Sequence, residues 1–214
     1  MQPGGRAPAP GTLALVQAFA NTKDLLTAQD VFTSAEMLRA WLITRQVLAR
    51  DAVISEEDFL RARAFREALR SLIRADAEPS LTADSLAILN QATQKAHLFV
   101  CFSADRTARL QPVVEGLDGA LGYLSMSVFT AMIEGSWPRL KSCRNEECQW
   151  IYYDTSKNRS GAWCTMAMCG NRLKAHAYRQ RFKGQQGDEE APPSGSSRRQ
   201  HPQRSTFQRQ QSSR

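Results

Sequence analysis

A mostly α fold with a small β-hairpin is what the sequence predicts, with a helical N-terminal domain followed by a treble-clef-like zinc finger. Three observations predict it. Apolar residues recur at helical spacing through much of residues 13–134. Four cysteines beyond them follow the pattern C-x(4)-C-x(15)-C-x(4)-C. The charge is also split along the chain: residues 1–138 carry 13 Lys/Arg against 15 Asp/Glu, and residues 139–183 carry 10 against 3. The whole chain of 214 residues has a net charge of +7, 42% hydrophobic and 23% charged residues. That composition supports a real core and excludes collagen-like, fibrous and disulfide-dense classes.

Met1 to Gly11 are rich in Gly and Pro and are expected to be a disordered tail. The body, residues 12–138, opens with a short apolar helix from Leu13 to Ala20 that stops near Asn21-Thr22. Ser34 begins a second helix, with Met37, Leu38, Trp41, Leu42 and Leu48 on its apolar face. Ser55 followed by Glu56, Glu57 and Asp58 reads as an N-cap with acidic residues in the first turn, where the helix dipole favours them. Phe59, Leu60, Phe65, Leu69, Leu72 and Ile73 continue it as a long amphipathic helix ending near Ala77 to Pro79. Thr82 to Ala92 is expected to be helical. The period then changes, and Leu98-Phe99-Val100-Cys101-Phe102 reads as a strand whose hairpin partner lies within Thr107 to Val114. Leu117 to Glu134 returns as a buried helix. Asp118, Gly119, Gly122, Ser125, Ser127 and Thr130 interrupt it, so it falls short of a membrane span. Gly135-Ser136-Trp137-Pro138 marks a boundary.

Cys143, Cys148, Cys164 and Cys169 are the candidate metal ligands. Zinc takes four ligands at tetrahedral corners, and two close pairs of thiolates joined by a loop meet that need. Trp150 to Tyr153 reads as a strand, Asp154 to Gly161 as a turn and Ala162-Trp163 as a short return strand. Cys169-Gly170-Asn171 opens a helix over Arg172 to Phe182. So small a segment, residues 139–184, has little core of its own, and metal binding would supply about 10–16 kcal/mol of folding free energy. Two disulfides, disfavoured in a reducing compartment, or four unrelated thiols, disfavoured by the matched pairs beside a basic helix, are the alternatives. Four thiolates leave no open position, so the zinc is expected to be structural. Cys101, in an apolar strand, reads as a buried small hydrophobe. Residues 185–214 are rich in Gln, Ser and Arg and are expected to be a second disordered tail.

The run Trp163-Cys164-Thr165-Met166-Ala167-Met168-Cys169-Gly170-Asn171-Arg172-Leu173-Lys174-Ala175 resembles the CGNR zinc-finger family, and Tyr153 to Ser160 strengthens the likeness. The body resembles the ABATE domain that usually precedes this finger. Leu13 to Thr22, Trp41-Leu42 and Phe65 to Arg70 carry that resemblance. It implies a bacterial, stress-induced transcriptional regulator. In one respect the chain departs from the pattern: family members often carry basic residues just before the Trp-Cys pair, where Gly161-Ala162 stand here.

On the helix, Arg172, His176, Arg179 and Lys183 fall within a stripe of about 60°. Lys174, Tyr178 and Arg181 lie roughly opposite, and Lys157 and Arg159 sit at the hairpin tip. Lys157, Arg159, Arg172, Lys174, His176, Arg179, Arg181 and Lys183 are therefore the candidate DNA contacts, the helix entering a major groove while the tip holds the backbone. Asn171 is a capping group or a base reader, and with Arg172 could buttress the thiolates. DNA is the expected partner. A homodimer and a small-molecule ligand in the body are further expectations. The finger docking an acidic protein, or RNA stacking on Tyr152, Tyr153 and Tyr178, are the alternatives. No GxGxxG, Walker, HExxH or nucleophile-elbow motif is present, so an enzyme is not expected. Glu56, Glu57 and Asp58 are explained by the helix start. His97 and Trp41 are read as packing residues. Ala18-Phe19-Ala20 imitates a signal-cleavage site, but Gln17 interrupts the apolar patch and Arg6 alone is a poor basic region. The expected location is therefore cytoplasmic, on the nucleoid, with no membrane partner.

Overall fold

Five helices, three two-stranded antiparallel sheets and two short turns make up the computed structural model, which describes residues 7–74 and 81–171. The described residues belong to one compact unit. Helix α1 spans Leu13–Ala20 and runs into a small hairpin of strands β1, Lys23–Asp24, and β2, Gln29–Asp30. Helix α2 spans Ala35–Thr44, with the Ser34 hydroxyl accepting from the Met37 amide as its N-cap. It ends where Gln46 turns left-handed, at a φ of 60°. Leu48 is therefore buried from the following loop rather than from the helix, contrary to the periodic reading. Met37 faces solvent.

Helix α3, Glu56–Arg74, is the longest, and its start is a reciprocal cap. The Ser55 hydroxyl accepts from the Asp58 amide, and the Asp58 carboxylate accepts from the Ser55 amide. Phe59, Phe65, Leu69 and Ile73 are buried as the spacing requires, while Leu60 is 62% exposed on the opposite side. Helix α4, Ala83–Lys95, is capped by Thr82 and reaches three residues beyond the expected end. Strands β3, Phe99–Phe102, and β4, Ala108–Gln111, form the expected hairpin, with Phe99 opposite Gln111. The hairpin stands out from the core: Cys101 is only half-buried and His97 is exposed in a left-handed turn, so neither is the packing residue it seemed.

Helix α5, Gly116–Ile133, is long and apolar enough to cross a membrane by length and composition, a correction to the sequence reading. Half of it is buried, with Leu117, Leu121 and Leu124 in the core, and that burial accounts for the composition. Gly122 is where α5 touches the end of α4. A Cβ there would lie 2.4 Å from the Ala96 Cβ, so only glycine permits the approach.

The core is built on aromatic rings. Phe19 lies 5.5 Å from Phe32, 5.6 Å from Trp41 and 6.1 Å from Phe65, mostly tilted or edge-on. Such pairs contribute about 0.5–1.5 kcal/mol each beyond their buried area. Beside them Arg66, fully buried, grips Asp30 through two bonds of 2.7 Å and donates to the Thr22 hydroxyl at 3.1 Å. Burial opposes ionisation of Asp30, but the Arg66 fork outweighs it and holds the carboxyl below its ordinary range.

Candidate metal centre

Past α5, a short 3₁₀ turn, Trp137–Arg139, delivers the chain to strand β5, Leu140–Ser142. Strand β6, Ile151–Tyr153, pairs with it antiparallel, Leu140 opposite Tyr153 and Ser142 opposite Ile151. The hairpin of the finger is thus closed across the first cysteine pair. Ala162-Trp163 is not its return strand: Gly161 is drawn back onto Asp154, and the Ala162 carbonyl is taken by the Arg144 amide at 3.0 Å. Leu140 and Ile151 belong to the same apolar core as the body helices.

Between the strands the chain folds into a knuckle. The Cys143 amide donates to the Trp150 carbonyl at 2.9 Å, and the Asn145 carbonyl accepts from both Cys148 and Gln149 amides. Of the second pair, Cys169 lies on one π-helical turn, Met166–Gly170, and Cys164 just before it. Thr165 caps that turn, its hydroxyl accepting from the Met168 amide at 3.0 Å, while the helix that Asn171 is expected to cap lies outside the described residues. Asn171 itself is exposed at the end of the turn.

These elements bring Cys143, Cys148, Cys164 and Cys169 together, all buried, every sulfur within 4.8 Å of the others. The Cys148 and Cys164 sulfurs are 3.7 Å apart, and those of Cys164 and Cys169 3.6 Å. A metal held by four thiolates at about 2.3 Å gives tetrahedral edges of about 3.8 Å. A disulfide would need about 2.05 Å, and all four cysteines are free thiols. The donor set therefore fits a closed, four-thiolate metal site. Donors surround the sulfurs as well. The Asn145 side-chain amide points at Cys169 from 3.6 Å, backbone amides of Cys164 and Asn145 point at Cys143, and that of Trp150 at Cys148.

Protonation follows from the crowding. Hydrogen bonds from Cys148 and Cys164 pull the Cys143 thiol far below its ordinary range, and the proton is then held by its neighbours. Donating to Cys143 pushes Cys148 up to about 12, and Cys164 rises further for the same reason. One negative sulfur discourages the next in a buried cluster. A divalent cation removes that penalty, since metal binding deprotonates the set together.

Asp154, read in the sequence only as the start of a turn, organises the loop beyond β6. Buried to 1% exposure, it accepts from Lys141 at 2.9 Å and from the Ser156 and Gly161 amides at 3.0 and 2.8 Å. Burial opposes its charge, but Lys141 and these amides more than offset it and keep the carboxyl well below the carboxylate range. The spacing Asp154-Thr155-Ser156 is the Asx-turn signal that could have revealed it. A Cβ on Gly161 would sit 2.8 Å from all three carboxyl atoms of Asp154, which explains why no basic side chain stands there.

Lys157 and Arg159 are exposed on this loop, about where the sequence put them. Arg172, Lys174, His176, Arg179, Arg181 and Lys183, on the helix expected from the sequence, lie outside the described residues. Tyr152 is fully buried, its hydroxyl donating to the Gly161 carbonyl at 2.7 Å, so it offers no stacking face to RNA.

Residues 139–182 match the CGNR zinc finger. Residues 13–131, more than half of the chain, match ABATE, described as "putative stress-induced transcription regulator". No curated protein matches the chain. Helical body, four-thiolate cluster and both matched segments thus agree, and the chain belongs to the ABATE family and carries a CGNR zinc finger.

Proposed function

We propose that the protein is a zinc-dependent DNA-binding transcriptional regulator and not an enzyme. One observation carries the reading. A buried tetrathiolate cluster at tetrahedral spacing is set within a segment, residues 139–183, holding 10 Lys/Arg against 3 Asp/Glu. Thiolate donors without an oxygen or open position favour zinc, used as a structural cross-link. Cys143, Cys148, Cys164 and Cys169 hold it. Lys157 and Arg159, exposed on the Asp154 loop, and Arg172, Lys174, His176, Arg179, Arg181 and Lys183 are assigned to the phosphate backbone and groove of DNA.

The body receives the signal or pairs with a second copy. A cavity of about 780 Å³ between the loop after α2 and the start of α5, lined by Gln46, Leu48, Arg50, Glu115 and Tyr123, supports a small-molecule ligand. Exposed Phe99, Val100 and Phe102 on the β3–β4 hairpin support a homodimer. Such a regulator acts on the nucleoid, in the cytoplasm.

A salt titration of duplex binding tests the reading. Contact with several phosphates gives a log–log slope near −0.9 for each. The reading fails if metal-loaded protein binds no duplex at low salt. Exposed Met166 and Met168 on the finger's π turn favour a protein partner as the second reading, since flexible thioethers suit adaptable surfaces. Under that reading a partner is retained after nuclease treatment and is lost when both methionines become Ser.

A further inference from the structure

We infer that the helical body sets how tightly the finger holds its metal, with Arg70 of α3 as the positioning residue for the Cys143–Cys148 knuckle; this rests on the metal-centre reading above. Gln149, directly after Cys148, has a φ of 47°, a left-handed conformation that residues other than glycine rarely adopt. The turn aims the Cys148 sulfur back at the cluster, and something must hold it. The Gln149 amide donates to the Asn145 carbonyl at 2.9 Å, which is local to the knuckle. Its carbonyl accepts from the Arg70 guanidinium at 3.2 Å and the Ser142 hydroxyl at 3.3 Å, and its side-chain carbonyl from Arg74 at 2.9 Å. Two of these four bonds come from one face of α3.

Arg70 is almost wholly buried, and its reach is not confined to the knuckle. It donates to the Ala20 carbonyl at 2.7 Å and the Lys23 carbonyl at 3.4 Å, with Glu67 at 3.7 Å. A single rigid fork therefore joins the end of α1, strand β1 and the ligand loop. Two residues on, the Asn21 side chain takes both backbone groups of Ile151, accepting at 2.9 Å and donating at 2.7 Å, as a neighbouring strand would. The knuckle is clamped by α1 on one side and α3 on the other.

Charge adds a second reason. Four thiolates around a divalent cation leave two net negative charges in a buried place, which nearby donors and cations must offset. The Arg70 guanidinium, bonded to the Gln149 carbonyl at 3.2 Å, stands one residue along the chain from the ligand Cys148. The guanidinium in turn would be costly to bury without such company. Metal binding and body folding are consequently linked, each favouring the other by the same factor.

The test is zinc affinity of the full chain, read by competition with a chromogenic chelator, with cobalt substitution reporting the thiolate spectrum. Arg70→Gln should weaken zinc by about 10- to 100-fold while the cobalt–thiolate bands keep their positions. Arg70→Lys, which keeps the charge and the packing stem, should lose about tenfold and serves if the first variant does not fold. Adding Gln149→Gly to Arg70→Gln should recover part of the loss, because glycine takes the left-handed turn freely. Leu124→Ala, a core truncation on α5, should lower thermal stability yet leave zinc affinity within about twofold. The inference is overturned if the Arg70 variants bind zinc like the unaltered protein, if Leu124→Ala weakens zinc as much, or if Gln149→Gly recovers nothing. Absence of zinc from the unaltered chain would instead sink the metal-centre reading itself.

Discussion

The body and the finger are held together by different physics. The body buries one continuous apolar core that includes Phe19, Phe32, Trp41, Phe65 and Leu124. At the heart of the finger are four cysteines and Tyr152, with Trp150 and Trp163 packed at the side. The first draws its stability from apolar burial. The second buries little besides the four cysteines and Tyr152, so in the proposed reading a cation does what burial does elsewhere. The contrast has a limit, because Leu140 and Ile151 on the finger's strands are already part of the body core. The metal is therefore expected to govern the knuckles and the loop between them more than the β5–β6 hairpin.

The comparison breaks most severely at the metal. Chelation, or Cys164→Ser, removes a contribution of about 10–16 kcal/mol and should unfold the cysteine-bearing loops while helical circular dichroism persists. Fluorine resonances of fluorotryptophan-labelled protein, which separate Trp150 and Trp163 from the Trp41 and Trp137 of the main core, report the first event, and far-ultraviolet dichroism the second. If both signals vanish together, the two regions are a single cooperative unit. Next in size is Phe19→Ala, which empties the centre of the aromatic cluster and should cost about 3–5 kcal/mol in denaturant unfolding. Its metal content should be unchanged, and a loss of metal would place the finger's stability inside the body core.

Smaller effects sharpen the picture. Asp30→Asn leaves the Arg66 guanidinium buried without its carboxylate and should cost about 2 kcal/mol, below the full range for buried pairs because Asp30 reaches solvent. Since folding lowers the Asp30 pKa, its stabilisation is complete above about pH 4 and fades as pH falls through the folded-state value. Acid titration of stability should therefore be flatter in Asp30→Asn, and an unchanged slope would show that the pair is not coupled to folding. Smallest is Gly161→Ala, which crowds the Asp154 carboxylate and should cost about 1–2 kcal/mol in the finger alone, seen as a lowered midpoint of the tryptophan signal.

Much of this architecture was legible because it is written locally. A period of 3.6, with Ser55 as an N-cap and Ser34 and Thr82 as starting points, marked these helices within a few residues. Cysteine spacing alone identified the four sulfurs that the fold brings within 4.8 Å. Misreadings arose where a neighbour distant in sequence decides. Ile151 to Tyr153 has strand character, but whether its partner is Leu140 to Ser142 or Ala162-Trp163 depends on Asp154 drawing Gly161 away. Cys101 looked buried because its neighbours are apolar, yet the hairpin that carries it stands out from the core.

By itself, then, the sequence determined the helices, the ligand set and the separation of an acidic body from a basic finger, because each depends on spacing along one stretch of chain. Tertiary structure alone decided that Arg66 would meet Asp30, that Asn21 would stand in as a strand for Ile151, and that Arg70 would hold the turn behind Cys148. Buried polar groups must find partners wherever the fold places them, and no local pattern records where that will be.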